Sequence, residues 1–393
     1  MNLVEVNSSD AVDRFLDLTA IEGRSGDERA VADRISQILI EAGLEESAIT
    51  FDGAESRTRL SGNCGNMIVQ LPGSGDGPTT LLSAHMDTVP VCLGSRPVLD
   101  GDFVISDSET GLGADDRAGC CAILTAAVER LRSGRTDLPP AILLFTVQEE
   151  VGLEGARHLN VGGLGQIDRA FNFDGGSVDK LTMGAIGGER MEVRIQGHPS
   201  HAGVAPENGV SAIVIAAKAI AHLQENAWLG KVEKREGTGT SNVGVIQGGE
   251  ATNVVTPEVF LKAEARSHDA AFRTEIVRHI RDAFDAACSE VKNAAGQTGS
   301  VQFDSHVDYE SFRLGEDDAS VAVAEKVLKE MGRTPFREVA NGGLDANWLS
   351  RHGIQAVTIG CGQVNIHTAD EKLDVADYVA ACCLAASVIC EEG

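Results

Sequence analysis

The spacing of apolar positions changes several times along the chain, and the changes mark out the elements. Residues 10–18 have helical spacing. Val31, Ile35, Ile38 and Leu39 form a second helical stripe, with Ser25 and Glu28 as a capping box before it and Gly43 as its stop. Apolar runs at 66–71 and 79–84 predict strands. A helix is predicted over 116–131, then a buried strand over 141–147 after the Pro139-Pro140 break. A short helix near 153–159 and a strand at 169–173 continue the alternation. Strands alternating with helices predict an α/β fold with a largely parallel or mixed sheet covered by helices.

From residue 187 the rhythm differs. Residues 191–196 alternate apolar and polar, as a half-exposed strand does. A helix opens at Ser211 and runs to 226, strands follow at 242–247 and 259–265, then a helix at 269–291 and a strand at 301–307. Two helices over a four-stranded antiparallel sheet is the economical reading, an α+β domain inserted at 187–308. The helix–strand alternation then returns, with a helix at 316–331, a strand at 356–359 and a last helix at 375–390. Residues 1–186 and 309–393 are therefore expected to form the two parts of one interrupted domain.

A chain of 393 residues supports two domains and a large core. Aromatics make up only 4%, so that core must be mainly aliphatic. A formal net charge of −26 argues against nucleic acid or an anionic membrane as a partner, since both require clustered Lys and Arg. No stretch is long and apolar enough to span a bilayer, and the first residues lack a signal-peptide pattern. Nine cysteines, with adjacent pairs at Cys120-Cys121 and Cys382-Cys383 and no Cys-x-x-Cys, read as small buried residues in a reducing, cytoplasmic compartment.

The chemistry is carried by motifs at the ends of these elements. His85 and Asp87 close an apolar run in Ser83-Ala84-His85-Met86-Asp87-Thr88-Val89-Pro90. In an extended strand the two share a face, so one can ligate a metal while the other orients it. Further along come Gly113-Ala114-Asp115-Asp116-Arg117-Ala118-Gly119, Gln148-Glu149-Glu150-Val151-Gly152, Asn172-Phe173-Asp174-Gly175-Gly176 and Ile366-His367-Thr368. Oxygen ligands mixed with imidazoles suit zinc, cobalt or manganese. Taken singly, each has an ordinary reading: His85 as a hydrogen-bonded strand end, Asp115 or Asp116 as a helix cap, Asp174 as a turn former. The Glu149-Glu150 pair is harder to dismiss, because it follows a buried run, and buried paired carboxylates need a cation.

In these stretches, and in Gly197–Ala212, Gly248–Pro257, Glu264–Asp269, Gly342–Asn347 and Ile366–Glu371, the chain resembles the M20 metallopeptidases. The resemblance is greatest to the peptidase T-like, tripeptide aminopeptidase-like branch. It implies a zinc-exopeptidase-like catalytic domain interrupted by a lid or dimerisation domain. It further implies two divalent metal ions bridged by Asp115, zinc first and cobalt or manganese as alternatives. His85 and Asp174 would complete one site, Glu150 and His367 the other; Asp87 would orient His85, and Glu149 would be the general base toward a metal-bridging hydroxide. His201 would reach into the partner subunit and stabilise the oxyanion, with Asn253, Arg266, Gly343 and Asp345 near the substrate. Arg117 stands where the family often has Lys, and the cation is retained. An Asp at 174 resembles the aminopeptidase and dipeptidase branches, whereas Glu there is typical of carboxypeptidases and acyl-amide hydrolases.

The expectation is thus a cytoplasmic homodimer, paired through the inserted domain, that releases the N-terminal residue of short peptides. The rivals are an N-acyl amino acid or carbamoyl amidohydrolase on the same scaffold, and a catalytically silent peptide-binding protein.

Overall fold

A computed structural model describes residues 3–390. It divides into two compact units: residues up to Ala185 together with Arg313 onward, and Ile186–Phe312. Among the described residues no helix is long and apolar enough to cross a membrane.

The first unit is built on a nine-stranded mixed sheet. Its centre runs Ala141–Thr146, Thr80–His85, Arg169–Phe173 and Ala356–Ile359, all parallel to one another. Met67–Leu71 flanks this block antiparallel on one side and Lys180–Ala185 on the other. The central strands are buried along their whole length apart from Arg169 at the start of one. That is why they read as unbroken apolar runs rather than as alternations. Their shared direction matters for function. The carboxyl ends of four strands reach one edge of the sheet, where an open α/β fold places its ligand site.

Across Thr80–His85 and Arg169–Phe173 lies the helix Ala114–Arg132, itself covered by Val375–Ile389. The first is buried nearly all round although it carries charged residues, and the second is mainly apolar, as an enclosed helix is. Close approach is possible because residue 119 is glycine: a Cβ there would stand 2.0 Å from the Phe173 carbonyl oxygen. Two arginines are fully buried in this layer. Arg117 donates to the Leu18 and Gly23 carbonyls at 3.3 and 3.2 Å, tying the loop before the second helix to the core.

Two features differ from the sequence expectation. Ser25 and Glu28 do not form a capping box on the helix Arg29–Glu41. Ser25 Oγ instead donates to Asp87 Oδ2 at 2.6 Å, and Glu28 Oε1 accepts from the Gly26 amide at 2.8 Å. A small second sheet, Pro97–Asp100, Phe103–Ser106, Lys372–Asp374 and Gln363–Val364, also escaped the pattern. Its strands are two to four residues long, too short to show a period.

The second unit is an antiparallel sheet, ordered Gly230–Glu233, Thr238–Gly248, Glu258–Ser267, Gly187–Gln196 and Ser300–Tyr309. The four expected strands are joined by Gly230–Glu233, a short fifth at the edge. Helices Ala212–Glu225 and Ala270–Glu290 are capped by Ser211 and Asp269. Ile215, Ile276 and Phe284 from these helices meet Val193, Ile195 and Leu261 of the sheet in one core.

Candidate active site

Parallel register sets the first residues of the site. His85 ends its strand opposite Thr146, after which the chain turns through Gln148, Glu149 and Glu150. Phe173 ends its strand, and Asp174 follows with its amide on the Ile359 carbonyl at 2.9 Å. Beyond Ile359, the segment to Glu371 carries His367. Asp115 lies at the head of the buried helix, where the backbone is irregular and the Asp115–Asp116 peptide is cis.

These side chains converge. His85 Nε2 lies 3.2 Å from Asp115 Oδ1, and His367 Nε2 lies 3.2 Å from Asp115 Oδ2. His367 Nε2 is also 2.9 Å from Glu150 Oε1. His85, Asp115 and Glu150 have ligand atoms within 4.8 Å of one another, and so do His85, Asp116 and Asp174. All five expected ligands therefore meet in the first unit, and Asp116 stands with them.

The electrostatics are those of a cage of anions with two imidazoles. Burial, then the charge of Asp115, raises Asp174 to about 7. Burial, followed by the Asp174 charge, pushes Asp116 far up. Glu149 rises for the same first reason, with His85 opposing and Asp345, Asp174 and Glu150 adding to it. The same anions favour protonated imidazole: by accepting from its ring, Asp115 and Glu150 raise His367 to about 10. His85 is pushed up by Asp115 and Asp87 although burial opposes it. A donor set of two imidazoles and several carboxylates forced together in a poorly hydrated space fits divalent cations, which neutralise it.

Asp87 does more than touch His85. Its carboxylate is 3.4 Å from Nδ1, while its carbonyl is closer, at 3.0 Å. The carboxylate oxygens accept the amides of Glu149 at 2.9 Å and Glu150 at 3.2 Å. The preceding amide, of Gln148, goes to Glu28 Oε1 at 3.0 Å. Two buried carboxylates thus hold three successive N–H groups, and with them the left-handed turn at Gln148, φ +55°. Nothing in the sequence pattern marked Glu28 for this task, because its spacing to Ser25 read as a helix cap.

Glu28 has a measurable consequence. Burial, and then the Asp87 charge, raises it from 4.5 to about 7. The folded state therefore keeps this proton where the unfolded chain has lost it. From about pH 4.5 to 7 that makes the metal-free protein less stable as pH rises. Glu28→Gln retains an acceptor for both amides and removes the titration. Urea unfolding at pH 8 should show a gain of up to about 3 kcal/mol. A wild-type-minus-variant difference that is flat with pH would contradict this.

The other expected residues fall in two places. Asp345 begins the helix Asp345–Arg351 and is buried against the Thr146 hydroxyl, with Oδ1 unpartnered. Burial raises it to about 6, with His85 opposing. Gly343 precedes it in a half-buried loop. His201, Asn253 and Arg266 belong to the second unit. There the exposed His201 pairs through its backbone with Val254, and Asn253 O accepts the Ala202 amide at 2.9 Å. Arg266 is held by both oxygens of Glu264, at 3.2 and 3.1 Å.

Imidazoles and carboxylates at the carboxyl edge of such a sheet are the equipment of a metal-dependent peptide-bond hydrolase. Residues 81–391 match the family model described as Peptidase family M20/M25/M40, and the chain belongs to that family. A tripeptidase structure from Staphylococcus aureus is 29% identical, covers 98% of each chain and has a TM-score of 0.88. Aminopeptidase PepT from Bacillus cereus is 31% identical over 98% of each chain, with a TM-score of 0.85. The uncharacterized protein YqjE of Bacillus subtilis is 30% identical over 95% of this chain and 96% of its own. Within the family, the chain lies with the peptidase T-like branch.

Proposed function

We propose that this chain is an aminopeptidase that releases the N-terminal residue of short peptides with two divalent cations sharing Asp115. One observation carries the reading: the two oxygens of a single buried carboxylate each face a different imidazole, at 3.2 Å. His85 and Asp174 would complete one cation site and Glu150 and His367 the other, with zinc first and cobalt or manganese as alternatives. When bound, the cations lower the pKa of water and polarise the scissile carbonyl.

The protein's own groups do the rest. Glu149 is the general base and then the acid toward the leaving nitrogen, the role for which a carboxyl beside the cations and outside the ligand set is suited. Asp87 keeps Glu149 and Glu150 presented by their amides while orienting His85. A cavity of about 520 Å³ borders Glu150, with Arg24, Leu60, Val89, Pro90 and Val151 in its wall. Room of that size and mixed polarity supports a short peptide as substrate.

Homodimerisation through the inserted domain is supported by apolar side chains standing in solvent there: Ile213, Val214, Ile246 and Val254 are each at least 40% exposed. On this reading the exposed His201 serves the partner's oxyanion, and Asn253 and Arg266 position substrate, Arg266 exchanging Glu264 for a substrate group. All nine cysteines are free, which supports a reducing, cytoplasmic setting.

The test is a panel of free di- and tripeptides, N-acetylated tripeptides and N-acyl amino acids, assayed before and after chelation and reloading. Turnover of peptides with a free amino terminus only, lost on chelation, is expected. Hydrolysis of the N-acyl compounds alone would make the protein an amidohydrolase. Peptide binding without turnover, indifferent to metal, would make it a scaffold.

A further inference from the structure

Beyond the strand Ala356–Ile359 one short segment delivers His367 and two buried side chains outside the candidate ligand set, Gln363 before it and Glu371 after it. They are 4% and 3% exposed, so each of their polar atoms must find a partner inside the protein. Their partners are the backbones and supports of the candidate ligands.

Gln363 Oε1 accepts the amide of Gly175, next to Asp174, at 2.9 Å. Its Nε2 donates to the Ala114 carbonyl at 3.1 Å and to Asp116 Oδ1 at 2.8 Å. The other oxygen of Asp116 accepts the backbone amide of His85 at 3.1 Å. One amide side chain therefore joins the supports of Asp174 and His85. Glu371 acts elsewhere. Oε1 accepts the amide of Asp115 at 3.0 Å, and Oε2 accepts that of Gly113 at 2.7 Å and the Cys92 thiol at 3.3 Å. Only four positions separate it from His367, so its carboxylate pins the loop carrying that imidazole to the backbone of the shared aspartate.

We propose that Gln363 and Glu371 are positioning residues with divided duties: Gln363 sets the half of the centre formed by His85 and Asp174, and Glu371 the half formed by Glu150 and His367. The inference rests on the two-cation reading above. It goes further in assigning each half its own clamp, both supplied by the same stretch of chain.

The division is testable by Co²⁺ binding to metal-free protein, followed by calorimetry and by the absorption spectrum of the bound ion. Wild type should take up two Co²⁺. In the Asp174→Ala background, where Glu150 and His367 serve the remaining ion, Glu371→Ala should weaken binding about 10–100-fold, the usual effect of losing a supporting partner. Gln363→Leu should leave that ion within about threefold. In the His367→Ala background the effects should exchange, with Gln363→Leu now weakening the remaining ion about 10–100-fold. The milder Glu371→Gln keeps one of the two amide acceptors and should give an intermediate loss. Gln363→Glu keeps the acceptor for Gly175 but loses both donated bonds, and should behave like the leucine variant. These two serve if the larger changes disturb folding. Equal weakening of the ion in both backgrounds by either variant, or no weakening by either, overturns the division of duties while the two-cation reading stands. A single Co²⁺ in wild type would overturn the reading beneath it.

Discussion

Glu149→Ala should lower kcat by roughly 10²–10⁴-fold with the metal content unchanged, the effect expected for deleting a general acid–base. The residue sits beside Glu150 in sequence, yet the two differ in what they face. The amides of both are held by the Asp87 carboxylate, but it is the Glu150 side chain that pairs with His367, Oε1 to Nε2 at 2.9 Å. That leaves the Glu149 carboxyl available for protons. Removing it should therefore separate catalysis from metal binding, with KM changing far less than kcat. Metal analysis and steady-state kinetics on the same preparation decide the matter. Activity retained with both ions in place would remove Glu149 from the mechanism.

The second large effect concerns protons on the ligands. Asp115 and Glu150 raise His367 to about 10 in the metal-free protein, so near neutral pH its imidazole carries a proton that a cation must displace. Cation affinity should therefore climb with pH, by about tenfold per unit for this one proton, levelling near pH 10. Calorimetry in buffers of different ionisation enthalpy should detect the released proton, and His367→Ala should remove it from the count. The same shift bears on stability. A histidine raised in the folded state stabilises it fully below about 6.5, and the contribution is lost as pH rises through about 10. The metal-free protein should weaken over that interval, while the loaded protein, with His367 bound to a cation, should not. Parallel stability profiles for the two forms would contradict this.

Much of the architecture was legible because the central strands and the long helices carry strong patterns. Thr80–His85, Ala141–Thr146 and Arg169–Phe173 are buried runs bounded by breaks. The caps at Ser211 and Asp269 open helices where the sequence placed them. The ligand candidates were legible for a related reason: His85, Glu150 and Asp174 stand at or just after the ends of such runs, Asp115 heads the long buried helix, and parallel strands bring their ends together. What escaped was the support. Glu28, Asp116, Gln363 and Glu371 act by accepting or donating hydrogen bonds across more than 25 to over 250 positions. No local period encodes a bond of that separation. Ser25 misled, since a serine three positions before a glutamate suits a helix cap, whereas its hydroxyl is drawn to the buried Asp87 carboxylate. The little sheet around His367 was invisible because two-residue strands take their shape from neighbours rather than from their own sequence.

The strand order has a consequence for how the molecule comes into being. Ala356–Ile359 lies between Arg169–Phe173 and Lys180–Ala185, two strands that follow one another directly in the chain. Until that late strand is synthesised, its neighbours have a vacant lane between them, and His367 does not yet exist. The centre of the sheet can therefore close only after Ala356–Ile359 has been made, and the strands on either side of it cannot reach their final pairing before then.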